Sequence, residues 1–222
     1  MSEVFAMDPS RPDLAAAAVG AAAESLSAGH LVIMPTETVY GIAARADLPD
    51  ATSRLFQAKR RPGDLTLPVL AAGTEAAWGL ARPTEAACRL AHRFWPGPLT
   101  LVLPRTELTL GWTLGHQARS IGVRVPDLPL CAHLIARCGP LASTSANLSG
   151  RPPLDEPQAL VASFGEAVAT YLVVIPGRPA PRGRPSTVLD LTGAEPRVLR
   201  PGAIEFGRLA AVIGQPSSPL NR

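Results

Sequence analysis

Short, nearly continuous apolar runs alternate with amphipathic stretches along this chain, and that alternation predicts an α/β fold. Leu31-Val32-Ile33-Met34 is the first such run, the pattern of a strand buried on both faces. Residues 67–71, 99–103 and 121–125 repeat it. Residues 141–144, 172–175, 187–191 and 197–199 read as shorter strands. An Ala-rich helix is predicted over 14–28, with Asp13 as its N-cap and Gly29 as the left-handed residue that ends it. Pro49-Asp50 opens a second helix that carries Leu55 and Phe56 and ends near Lys59. Further helices are expected over 75–80, 85–94 and 130–137. Strands and helices interleave without an internal repeat or a long linker. The expectation is a single α/β domain over 1–222 with its core at about 12–205, built on a twisted, mixed sheet, and a frayed tail at 206–222.

Composition narrows the classes. At 222 residues the chain is long enough to bury a full core. The formal net charge of +3 permits a phosphate-bearing ligand without demanding one. Glu24, Ser25 and Ser27 interrupt the Ala-rich stretch, and the N-terminus lacks the basic start and apolar core of a signal peptide, so no membrane association is expected. Cys88, Cys131 and Cys138 form no CxxC pair and read as reduced thiols of a cytoplasmic protein. His30, His92, His116 and His133 show no metal-ligand spacing, and no protein ligand for a metal is expected.

One residue changes the picture. Lys59 is the only lysine; the other twenty of the 21 basic residues are arginines. A lysine kept in an arginine background is a candidate for work that a guanidinium cannot do, the placing of a compact ammonium on a phosphate.

The usual nucleotide and nucleophile signatures are absent: no GxxxxGK[ST], no GxGxxG, no GxSxG. Four other segments carry polar chemistry at strand ends, where open α/β sheets bind ligands. Pro35-Thr36-Glu37-Thr38-Val39-Tyr40-Gly41 sets two hydroxyls and a carboxylate after the first strand, with a glycine that permits close approach; a turn bonded through its own threonines is the other reading. Lys59-Arg60-Arg61-Pro62 places Lys59 and Arg61 to converge on a polyphosphate, or merely to complement a helix C-terminus. Ser143-Thr144-Ser145-Ala146-Asn147-Leu148-Ser149-Gly150 offers five hydroxyl or amide side chains within seven residues, dense enough to favour an anion over a capped turn. Arg184-Pro185-Ser186-Thr187 precedes a strand, and Arg200-Pro201-Gly202 follows the next.

Taken in order, these segments, together with Trp95-Pro96-Gly97-Pro98-Leu99-Thr100 and Val123-Arg124-Val125-Pro126-Asp127, resemble the YrdC-like family of threonylcarbamoyl-AMP synthases from about residue 28 to 204. The resemblance implies a twisted open sheet lining a large concave cavity. It implies condensation of L-threonine, bicarbonate and ATP to threonylcarbamoyl-adenylate and pyrophosphate, for the t6A modification of tRNA completed by separate partner proteins. It places Thr38, Arg124, Ser145 and Ser186 around threonine. Lys59 and Arg61 would hold the ATP phosphates and act as the catalytic charges, with Ser120, Asn147 and Arg200 also on the nucleotide. Mg2+ would enter with ATP. The chain departs from many relatives at Leu65 and Leu70, which stand where they carry Asn and His, and at Pro185, where they often carry Glu. Its end soon after Arg200 leads us to expect the short form, without an added C-terminal domain. A paralogue with another acceptor is the nearest rival. A double-stranded RNA or ribosome-assembly binding protein using Lys59, Arg60, Arg61, Arg178, Arg182 and Arg184 is the rival from another class, although a synthase with weak tRNA or double-stranded RNA binding is also compatible with that patch; the scarcity of aromatic residues for stacking weighs against the rival.

Overall fold

In the computed structural model of the chain, residues 2–60, 66–116, 119–175, 181 and 183–214 are described. Arg61, Leu65, Arg178 and Arg182, singled out above, lie outside them.

Ten strands form one sheet: β1 (Glu3–Met7), β2 (Val32–Met34), β3 (Gly41–Arg45), β4 (Val69–Leu70), β5 (Leu99–Pro104), β6 (Ser120–Arg124), β7 (Leu141–Ser145), β8 (Thr170–Val174), β9 (Thr187–Asp190) and β10 (Arg197–Arg200). Their spatial order is β1-β8-β2-β3-β7-β4-β6-β5-β9-β10. Four of the neighbouring pairs are parallel and five antiparallel, so the sheet is mixed, as the interleaved pattern predicts.

Among the described residues seven helices flank it: α1 (Ala16–Ser27), α2 (Pro49–Ala58), α3 (Thr74–Leu80), α4 (Glu85–Phe94), α5 (Pro129–Cys138), α6 (Pro157–Phe164) and α7 (Phe206–Ile213). Proline opens α2, α5 and α6, where its fixed φ and missing N–H cost nothing. Thr84 caps α4 by accepting from the Ala87 N–H at 3.1 Å. Gly29 does adopt the left-handed conformation, φ +77°. Asp13 does not act as the cap: a 3-10 turn at Pro12–Ala15 precedes α1, neither start is capped by a side chain, and Asp13 instead pairs with Arg11.

The alternation of side chains along the strands explains the whole architecture. On one face, Leu99, Leu101 and Leu103 of β5, Ile121 and Val123 of β6 and Leu189 of β9 join residues of α2, α3, α4, α6 and α7 in the larger core. Each fully buried Leu or Ile stabilises that core by roughly 1.5–3 kcal/mol. On the other face, α1 and α5 pack over Val32, Met34, Ala43, Leu70, Leu141 and Leu172. These last residues belong to β2, β3, β4, β7 and β8. The same face of β5, β6 and β9 presents Thr100, Val102, Gly122, Arg124 and Val188, and with Ser186 just before β9 it borders a cavity instead of a helix.

Besides β3 and α6, for which the sequence predicts no element, two regions at the ends of the chain differ from the expectation. The frayed tail expected at 206–222 begins with a helix: α7 buries Leu209 and Ala210 and sets the Arg208 guanidinium over the Phe94 ring. Packing of an amphipathic face against α4 outweighs the short length that made this segment look unstructured. The core also starts before residue 12, because β1 adds a parallel edge strand to β8.

Candidate active site

The cavity has a volume of about 340 Å3 and draws its lining from β3, β4, β5, β6, β7, β9 and β10 and from the loops that precede β3 and β9. Every polar segment singled out in the sequence borders it or sits in its wall, except the part of the Lys59 segment that lies outside the described residues.

The loop before β3 is fixed from several sides. Thr36 Oγ1 donates to the Val39 carbonyl at 2.7 Å and accepts the N–H groups of Thr38 and Val39. The Gly183 N–H donates to the Thr38 carbonyl at 2.9 Å, and the Cys131 thiol donates to the Pro35 carbonyl at 3.4 Å. The turn bonded through its own threonines therefore forms, with Thr38 Oγ1 2.8 Å from Thr36 Oγ1, and both residues also border the cavity. Gly41 follows because a Cβ there would stand 2.9 Å from Ser143 Oγ on the paired strand.

Arg124, at the end of β6, is 7% exposed and tightly tethered. Its Nε donates to the Gly97 carbonyl at 3.1 Å, and its Nη2 to Glu37 Oε1 at 2.6 Å and to Thr38 Oγ1 at 3.1 Å. Thr38 and Arg124 thus meet, as expected for two residues of one pocket. The Glu37 pairing escaped the sequence reading. Alternation places Arg124 toward the cavity, but nothing in the sequence says which carboxylate, 87 residues away, would meet it. The fork is not free for a bidentate carboxylate; only Nη1 remains.

Ser145 ends β7 opposite Gly41 and borders the cavity. Ser186 borders it from the β9 side, where its hydroxyl lies 2.9 Å from Thr100 Oγ1. Arg200 closes on the same residue: Nη2 donates to the Ser186 carbonyl at 2.8 Å and hydroxyl at 3.0 Å. Gly202 is required for this approach, since a Cβ there would come within 2.4 Å of Ser186 and Thr187 backbone atoms. Ser120 lines the cavity at the start of β6. Ser143 and Thr144 of the segment singled out above also line it, as does Thr100, to which no role was given although it is the one polar residue inside the β5 run.

Lys59 and Asn147 stand elsewhere. Lys59 is 1% exposed, and its Nζ donates to the Ser145 carbonyl at 2.5 Å and to Asn147 Oδ1 at 3.3 Å. Asn147 Oδ1 also accepts from Ser145 Oγ, and its amide donates to the carbonyls of Leu148 and Arg151. Neither side chain borders the cavity; both sit in the wall behind Ser145. The ammonium at the end of α2 is thus anchored on the Ser145–Asn147 segment. The loop wraps the end of α2, with the Ser149 N–H on the Lys59 carbonyl at 3.1 Å and Arg60 in the left-handed region at φ +49°. Burial also pushes the Cys131 thiol up to about 12, with the Glu37 charge adding to the effect, so this thiol below the site stays protonated.

Among the described residues no cluster of three or more His, Cys, Asp or Glu side chains could hold a metal ion. No helix among them is long and apolar enough to cross a membrane.

A family model described as telomere recombination, covering the Sua5, YciO and YrdC proteins, matches residues 24–202. A protein of Mycobacterium tuberculosis strain H37Rv is 37% identical over 221 residues, 99% of both chains. The threonylcarbamoyl-AMP synthase of Bacillus subtilis is 37% identical over 198 residues, 88% of this chain and 56% of that longer protein. The crystal structure of Pyrococcus abyssi Sua5 complexed with L-threonine superposes with a TM-score of 0.79 at 33% identity, covering 97% of this chain and 61% of that one. This chain belongs to the Sua5/YciO/YrdC family.

Proposed function

We propose that this protein condenses L-threonine, bicarbonate and ATP to L-threonylcarbamoyl-adenylate, releasing pyrophosphate and water. The observation that carries the proposal is the tethered Arg124 bordering the cavity, with the Thr38 hydroxyl beside it. Nη1 is the group left to receive the α-carboxylate of an amino acid. Thr38, Ser145 and Ser186 supply hydroxyls around the same space.

The chemistry asks for no protein nucleophile. The substrate amine takes up bicarbonate to give a carbamate and water, a carbamate oxygen attacks the α-phosphorus, and pyrophosphate leaves. The protein's part is alignment and neutralisation of charge. Arg200, held at the cavity rim by Ser186, stands on the proposed nucleotide side with Ser120. Lys59 contributes from the wall: its ammonium fixes the Ser145 carbonyl and adds a positive charge behind the strand end. Arg61 remains the second proposed phosphate contact. Mg2+ would arrive on the ATP phosphates, neutralising them, and no residue is assigned to it. The adenylate would then pass to partner proteins that modify tRNA, a cytoplasmic role.

The test is mass spectrometry of purified protein with ATP, Mg2+, bicarbonate and L-threonine, each omitted in turn. Threonylcarbamoyl-adenylate and pyrophosphate that need all three substrates are expected. Pyrophosphate release with a different amine, or no adenylate at all, overturns the proposal; the second outcome would turn attention to RNA binding.

A further inference from the structure

We infer that Glu37 is a positioning residue for the amino-acid substrate: it holds Arg124 so that Nη1 alone is left for a ligand in the cavity. The inference rests on the proposed function above, because it concerns how that site takes a carboxylate.

The Glu37–Arg124 pair is deeply buried, with side chains 11% and 8% exposed. Burying two charges costs desolvation that their attraction repays only when every remaining polar atom is satisfied. Here that condition fails. Glu37 Oε2 is buried and has no hydrogen-bond partner. Arg124 Nη1 makes no hydrogen bond among the described residues, and Arg124 borders the cavity. A pair that leaves one carboxylate oxygen stranded is poorly explained as a stabilising device. It is well explained as a clamp. Three acceptors fix the guanidinium plane: the Gly97 carbonyl on Nε, and Glu37 Oε1 with Thr38 Oγ1 on Nη2. The fourth nitrogen position, Nη1, is the one left for a ligand in the cavity that Arg124 borders.

The carboxylate has a second consequence. Its negative charge cancels that of Arg124, so the clamp is neutral and recognition depends on where Nη1 points more than on net attraction. A substrate carboxylate is then held by one nitrogen, with hydroxyls supplying the rest. Orientation and charge can therefore be separated by substitution. Glu37→Gln keeps the oxygen at its reach and removes the charge. Glu37→Asp keeps the charge and draws the oxygen back by one methylene.

The experiment measures KM for threonine, KM for ATP and thermal midpoint for the wild type and both variants. The expected result is a KM for threonine about fivefold or more higher in Glu37→Asp, with KM for ATP changed by less than about twofold. Glu37→Gln is expected at or below the wild-type KM for threonine. If Glu37→Gln is instead the impaired variant, charge and not placement is what matters, and the inference is overturned. It is also overturned if neither variant moves KM for threonine, or if both KM values rise together with a fall in thermal midpoint. These failures leave threonine-dependent turnover of the wild type intact. A wild type whose pyrophosphate release does not need threonine refutes the proposed function itself.

Discussion

Lys59 Nζ lies 2.5 Å from the carbonyl oxygen of Ser145, a contact that ties the end of α2 to the end of β7 across 86 positions of sequence. An ammonium so placed cannot be exchanged for a guanidinium, whose planar fork has a different reach and needs more room. Lys59→Met, which keeps the apolar stem, is expected to lower turnover by about a hundredfold or more, on the scale of losing one preorganised charge contact. Lys59→Arg is expected not to rescue it. Steady-state pyrophosphate release checks both, and near-normal turnover in either would remove Lys59 from the machinery.

Asn147 is the joint of that arrangement. Its carbonyl receives Lys59 and Ser145, and its amide supplies the carbonyls of Leu148 and Arg151. Asn147→Ala leaves buried donors and acceptors without partners, at a cost of about 1–3 kcal/mol. Asn147→Asp loses both donors and sets a carboxylate against two carbonyl oxygens, so it is expected to be no better. Urea denaturation reads the stability loss, and a fall in turnover larger than the fall in folded fraction reads the effect on Lys59.

Much of this site was legible in the sequence because it depends on local pattern. Thr100 and Arg124 face the cavity through the simple alternation that sends Leu99, Leu101, Ile121 and Val123 into the core. Gly29 and the proline opening α2 announce themselves by position. What stayed hidden depends on partners distant in the chain. Glu37 reads as one more polar loop residue until the fold brings Arg124 to it, and Lys59 reads as solvated until the Ser145–Arg151 loop closes over it. β1 and α7 were missed because short terminal segments are stabilised by the neighbour they dock on, not by their own propensity.

Gly202 controls the nucleotide side through space alone. A methyl group there would meet Ser186 and Thr187 backbone atoms at 2.4 Å, and backbone cannot rotate away as a side chain can. Gly202→Ala is expected to destabilise the fold by about 1–3 kcal/mol and to displace Ser186 and Arg200, raising KM for ATP. Gly207→Ala is the control, because in α7 nothing lies within 4 Å of its added methyl and a helical Gly→Ala change gains up to about 1 kcal/mol. Equal thermal midpoints for the two variants would contradict the steric account.

Alkali should unfold this protein before acid chemistry at the site is touched. Burial pushes the Cys131 thiol from 9.0 up to about 12, and it pushes the Tyr171 hydroxyl, which donates to the Gly165 carbonyl at 2.7 Å, from 10.0 up to about 12. Both groups hold their proton more tightly when folded than when unfolded. Above pH 9 the unfolded chain releases these protons first, so the folded state binds more of them and stability falls as pH rises. The loss is expected to start near pH 9 with Cys131, to steepen near pH 10 with Tyr171 and to continue to about pH 12. Cys131→Ser would lower the overall stability and make the first part of that slope shallower, with Cys138, whose thiol burial also raises, supplying the remainder. The same burial predicts that iodoacetamide at pH 8 labels the exposed Cys88 in the native protein while Cys131 and Cys138 react only after denaturation. Urea midpoints between pH 7 and 11, with intact-mass counting of adducts, test both claims. A flat pH profile, or rapid native labelling of Cys131, would mean that the α5 thiol is not sealed beneath the Pro35–Val39 loop.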